Sequence, residues 1–142
     1  MTTPIITAVL TILGGICIYV SGQVISKFFI EPYHDYRKTV GEIAYALMYY
    51  ANVSARIRED IQAEAHNAFR QYGSRLRASD YQIPCYNWFA RRSWTNLPPI
   101  ESVMEGSAAL IALSNAVYSD NYEHIARHRQ KIAENLQLTG IN

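Results

Sequence analysis

The chain has 142 residues, 13 Lys and Arg against 12 Asp and Glu, and a formal net charge of +1. That length holds one small domain beside any anchoring segment, and not several domains. The balanced charge lacks the basic excess of proteins that hold nucleic acid electrostatically, so no nucleic-acid partner is expected.

The averages conceal two unlike parts. No Asp, Glu, Lys or Arg precedes Lys27, and "TPIITAVLTILGGICIYVSGQVIS" is dominated by Ile, Leu, Val and small residues. A helix needs about 20 mainly apolar residues to cross roughly 30 Å of hydrocarbon, and Pro4–Ser26 meets that length. Thr7, Thr11 and Ser21 can bond back to their own helix, which lowers their cost in lipid. A cleavable signal is a poor match, because no basic n-region precedes the run and no A-x-A follows it. A buried core helix is a poor match as well in so short a chain. The expectation is a retained transmembrane helix over residues 1–30, followed by a soluble unit over 31–142. Lys27, Arg37 and Lys38 follow the span, and positive flanks stay cytoplasmic. The N-terminus is therefore expected outside and the C-terminal unit in the cytosol, with membrane lipid as a partner. Ala8, Thr11, Gly15 and Gly22 offer small side chains along the span, suited to close helix packing in lipid and hence to a homo-oligomer.

Pro32 fits either the first turn of a helix or a kink in a continuing one. "YHDYRKTVGEIAYALMYYAN" then reads as helix, with Val40, Ile43, Leu47 and Tyr50 at 3, 4, 3 spacing and Asn52 as a stop. Its other face carries Glu42, Tyr45, Tyr49 and Asn52, a polar-aromatic stripe that could line a ligand pocket or pack with hydroxyls at its edges. Arg37 is a nearby, imperfectly spaced partner for Glu42. Ser54 is a candidate cap for a helix from about 56 to 79, whose apolar stripe is Ile57, Ile61, Ala65, Ala68, Phe69, Tyr72 and Leu76.

"IPCYNWFARRSWTNLPP" has a different texture. Prolines bound it, and a short helix there would carry Tyr86, Trp88, Phe89 and Trp94. Trp88, Phe89 and Trp94 with Arg91 and Arg92 suit a membrane-water interface, where tryptophan settles and arginine meets anionic headgroups; the alternative is that the aromatics fill a core. "VMEGSAALIALSNAV" forms the next helix, entered through Pro99 or through the capping-box pair Ser102 and Glu105. Gly106, Ala109, Leu113 and Ala116 share a face there. Asp120 and Glu123 have cap spacing before a final helix over about 121–136, whose stripe is Tyr122, Ile125, Arg129, Ile132 and Leu136. The expected fold is all-α: one N-terminal transmembrane helix, then a cytosolic bundle of about four helices.

Catalytic signals are lacking. No P-loop, dinucleotide glycine pattern, G-x-S-x-G, C-x-x-C or acidic cluster occurs. His124 and His128 are spaced for one helix face, but two imidazoles flanked by Arg127 and Arg129 do not make a metal site. Cys17 and Cys85 fall in different parts of the chain and do not pair. No enzyme activity, metal or cofactor is expected.

"KFFIEPYHDYRKTVGEIAYALMYYANV", with "YQIPCYNWFARRSW" and "IALSNAV" further on, resembles a group of short bacterial single-pass membrane proteins without an assigned activity. The resemblance implies a bacterial inner-membrane setting and no catalytic residue. The leading expectation is a membrane-tethered interaction or scaffold module that self-associates, with a protein partner not identified by the residues. Alternatives are a small-ligand sensor using the Glu42–Asn52 face, and a membrane-perturbing phage or defence effector.

Overall fold

In a computed structural model, residues 2–51, 59–92, 95–119 and 121–138 are described, with backbone alone for 2, 3 and 80. The order is α1 (Thr2–Ile25), a π-helical turn (Ser26–Ile30), α2 (Glu31–Tyr49), α3 (Glu59–Gln82), α4 (Tyr86–Ala90), α5 (Ile100–Ala116) and α6 (Tyr122–Asn135). Among the described residues there is no strand. The architecture is all-α, as expected: a long apolar N-terminal helix leading into a helical bundle.

The N-terminal segment does not join the bundle. Every residue from Pro4 to Ile25 is exposed, including Leu10 at 64% and Ile18 at 77% of full accessibility. This excludes the buried core helix. The helix is long and apolar enough to cross a membrane, and it runs without a break from Pro4 to Tyr49, 46 residues in all. Thr11 donates its hydroxyl to the Thr7 carbonyl at 2.9 Å, satisfying one polar group within the helix.

Pro32 neither starts a new helix nor breaks this one. Proline has no N–H to donate, and its ring crowds the carbonyl four residues back, here Phe28. The π-turn lies just before it, and the Glu31 N–H reaches back five residues to Ser26. The wider turn accommodates the ring, and the axis continues into α2.

The bundle forms where the apolar stripes meet. Ile43 and Leu47 of α2, Phe69 and Leu76 of α3, Val103, Leu110 and Leu113 of α5, and Ile132 and Leu136 of α6 are all buried. Helix α5 lies between α3 and α6, and α2 closes on α3. The α3–α5 crossing is close because of Gly73. A β-carbon built there would sit 3.0 Å from Ile111 Cγ1 and 3.2 Å from the Ser107 carbonyl oxygen. Ser107 uses the proximity: its buried hydroxyl donates to the Gly73 carbonyl at 2.8 Å. Gly106, one residue earlier on α5, lies against Leu136 of α6.

Arg129 falls within the α6 stripe yet serves a polar purpose. Its guanidinium donates to the carbonyls of Leu47 at 3.0 Å and Ala51 at 3.1 Å. Leu47 lies in the last turn of α2 and Ala51 just beyond it, where the negative end of the helix dipole favours a cation. Partial burial pulls the Arg129 pKa below its ordinary value, though a guanidinium remains charged.

Two boundaries differ from the expected ones, and α5 takes the Pro99 entry of the two expected for it. Helix α3 continues past Ser79 because Ile83 is buried and its N–H still bonds the Ser79 carbonyl at 3.1 Å; Pro84 follows, and Cys85 turns into left-handed backbone at φ 56°. Helix α5 begins after Pro99, so Ser102 lies inside the first turn instead of capping it. Asn121, next to the expected Asp120, caps α6 by accepting from the His124 N–H at 3.2 Å. Asp120, Ser54 and Ile57 lie outside the described residues.

Gly73→Val should lower the denaturation midpoint of detergent-solubilised protein by the equivalent of about 1–3 kcal/mol through overpacking. Gly41→Ala, where nothing lies within 4 Å of the new β-carbon, should raise stability by about 0.5–1 kcal/mol. Arg129→Met should cost roughly 2 kcal/mol, because it leaves two helix-terminal carbonyls without their charged donor. Circular-dichroism melts of the variants test all three.

Candidate functional site

The aromatic-basic segment and the foot of the long helix meet. Helix α4 holds Tyr86, Trp88 and Phe89, and Phe89 packs on Phe29 of the π-turn with ring centroids 5.6 Å apart. Trp88 stands edge-on to Phe89 at 4.9 Å and remains 54% exposed. Arg92 places its guanidinium 4.9 Å from the Trp88 ring centroid, a cation-π contact. Arg91 and Arg92 are both exposed. Trp94 lies outside the described residues.

Hydrogen bonds fix this segment against the long helix. The Tyr33 hydroxyl donates to the Thr95 carbonyl at 2.8 Å. The Thr95 hydroxyl lies 2.9 Å from the Phe89 carbonyl and 2.8 Å from that of Arg92, so one proton is shared between the two. The Tyr86 hydroxyl donates to the Pro98 carbonyl at 2.9 Å, and Tyr36 of α2 is hydrogen-bonded to Tyr86. Burial pushes the Tyr36 pKa up to about 12, an effect that Arg37 and the Tyr86 bond only partly oppose. Tyr36 and Tyr86 are 3% and 4% exposed, so these bonds are sheltered from water.

Between the two parts is a cavity of about 410 Å³, whose lining includes Ile25, Phe29, Trp88 and Leu97. Tyr33 and Thr95 also line it, but their hydroxyls are already donated as described. The chamber therefore presents carbon to an occupant. Trp88 and Phe89 were legible in the sequence as one segment. Phe29 and Tyr33 were not assigned to it, and Thr95, inside the same proline-bounded segment, had no role there, since its partner Tyr33 is 62 positions away.

The stripe on α2 is arranged differently. Tyr45 and Tyr49 are 66% and 63% exposed and stack on each other at 5.7 Å. Glu42 turns toward α3, where Arg75 lies 3.4 Å away, so its partner is Arg75 and not Arg37. Asn52 lies outside the described residues. Inward from Tyr49, the Tyr50 ring stands edge-on at 4.9 Å and meets Phe69 at 5.7 Å. The Tyr50 hydroxyl donates to Glu64 at 2.9 Å. Burial and then the Glu64 bond raise the Tyr50 pKa to about 12.

On α1, Gly15 and Gly22 have nothing within 4 Å of a built β-carbon, and Ala8 and Thr11 are exposed like the rest of that helix. On α6, burial and then the nearby His124, Arg127 and Lys131 lower the His128 pKa. Among the described residues no cluster of three metal-ligating side chains occurs.

Tyr36 predicts an alkaline limit. A phenol whose folded pKa lies above its unfolded value near 10 contributes stability below pH 10, and that contribution is lost as pH rises toward 12. Tyr36→Phe should cost about 1 kcal/mol at neutral pH from the lost hydrogen bond, and should lose stability less steeply than wild type between pH 10 and 12. Denaturant titrations across that range measure both effects.

No known family, curated protein or solved structure significantly matches the chain.

Proposed function

We propose that this chain is a single-pass membrane protein whose bundle serves as a non-enzymatic interaction module held at the bilayer surface. The observation that carries the reading is the fully exposed run from Pro4 to Ile25. An apolar helix that long is costly in water and at home in lipid. Its continuity with α2 ties the bundle to the membrane through one helix, without a flexible linker. On this reading the setting is a bacterial inner membrane, with the N-terminus outside and the bundle in the cytosol, in keeping with Lys27, Arg37 and Lys38 after the span.

Two surfaces suit the module's contacts. Tyr45, Met48 and Tyr49 form an exposed patch on α2, of the residue types enriched at protein interfaces. Ala8, Thr11, Gly15 and Gly22 leave room for close approach of a second α1. We assign the first to a protein partner and the second to self-association.

The two cysteines, both free and exposed, provide the test. The protein should resist alkaline carbonate extraction. A membrane-impermeant maleimide should label neither cysteine in spheroplasts. Cys85 should react in inside-out vesicles, and Cys17 only after detergent. Release by carbonate would refute the span, and labelling of Cys85 in spheroplasts would reverse the orientation.

A further inference from the structure

We propose that the cavity between the π-turn and α4 takes an acyl chain of an anionic phospholipid, with Arg92 beside the headgroup. The inference rests on the reading of α1 as a membrane span.

Three features select this occupant. The first is wall chemistry. The cavity's hydroxyls, from Tyr33 and Thr95, already donate to backbone carbonyls, so a polar ligand would lose its bonds to water and gain no donor. The volume of about 410 Å³ lies within the ~300–1,000 Å³ range of small-molecule sites, and an apolar chain can fill it without orphaning a polar group.

The second is position. Ile25 and Phe29 belong to the end of the apolar helix and also line the cavity. The first charged residue of the chain, Lys27, lies between them. The chamber therefore sits where an inserted α1 would leave the hydrocarbon, and the apolar material at hand there is lipid. A tethered protein meets that lipid at high effective concentration, so modest affinity suffices.

The third is charge. Arg92 is exposed and held over Trp88, which lines the cavity. Among the described residues no carboxylate forms an ion pair with it. Tryptophan prefers the headgroup level, and a guanidinium pairs with phosphate through a planar fork. A chain in the cavity would leave its headgroup near this side chain.

The test uses the full chain carrying Trp94→Phe, so that Trp88 is the sole tryptophan, reconstituted into phosphatidylcholine vesicles containing phosphatidylglycerol. Acyl-brominated versions of each lipid are compared as quenchers at equal mole fraction. A single cation near an anionic surface supports a preference of about fivefold. Brominated phosphatidylglycerol should therefore quench Trp88 several-fold more steeply than brominated phosphatidylcholine. Arg92→Gln should remove that preference while both lipids still quench. Ile30→Phe, which adds volume at a half-exposed lining residue, should weaken quenching by both, with the melting profile confirming a folded bundle. Equal quenching by the two lipids in the parent, or unaltered quenching in Ile30→Phe, overturns the lipid site and leaves the span intact. Failure of the parent to float with vesicles in a density gradient overturns the span, and the lipid site with it.

Discussion

The bundle depends on how closely α5 can approach α3. Gly73 has no side chain to hold the helices apart, and the Ser107 hydroxyl bonds the backbone exposed by that absence. A larger residue at 73 would push α5 outward and leave a buried hydroxyl without its acceptor. Helix α5 is also the surface on which α6 rests, with Leu136 against Gly106. Displacement at one crossing would therefore reach the other. The placement of Arg129 follows from the same stack, since α6 must lie at the right height to cap the end of α2. A small residue, a hydroxyl and a guanidinium thus set positions that the aliphatic core then fills.

The cavity is positioned by this arrangement too. Leu97, Pro98 and Pro99 lead into α5, and Pro98 accepts from the buried Tyr86 at the start of α4. Tyr36 and Tyr33 fasten the same segment to the long helix from the other side. The aromatic walls are consequently fastened by hydrogen bonds to the long helix on one side and to the segment that enters α5 on the other. This is the physical sense in which the site is built in advance.

Much of the fold was legible because burial follows period. Ile43 and Leu47, Phe69 and Leu76, and Ile132 and Leu136 recur at helical spacing, and each pair is buried. Tyr36 was not legible. Asp35, Arg37 and Lys38 surround it, so no stripe marks a residue that is 3% exposed. Arg129 was visible as a member of the α6 stripe, but its role needs carbonyls 82 and 78 positions away. The aromatic-basic segment stood out by composition, whereas the half of the cavity supplied by Phe29 and Tyr33 is defined only when the chain folds back. Glu42 shows the same limit: its nearest cation in sequence, Arg37, is not the one that faces it.

The π-turn has a mechanical consequence. A flexible linker would let a domain wander independently of its anchor. Here the backbone stays helical through Ser26–Ile30, so a rod anchored in lipid would act as a lever. If the tilt of α1 changed by about 10° to match a thinner or thicker bilayer, the far end of α2, roughly 28 Å along at 1.5 Å per residue, would move by about 5 Å. Tyr45 and Tyr49 lie near that end. Membrane thickness would then be expressed as the height and angle at which an aromatic surface meets its surroundings.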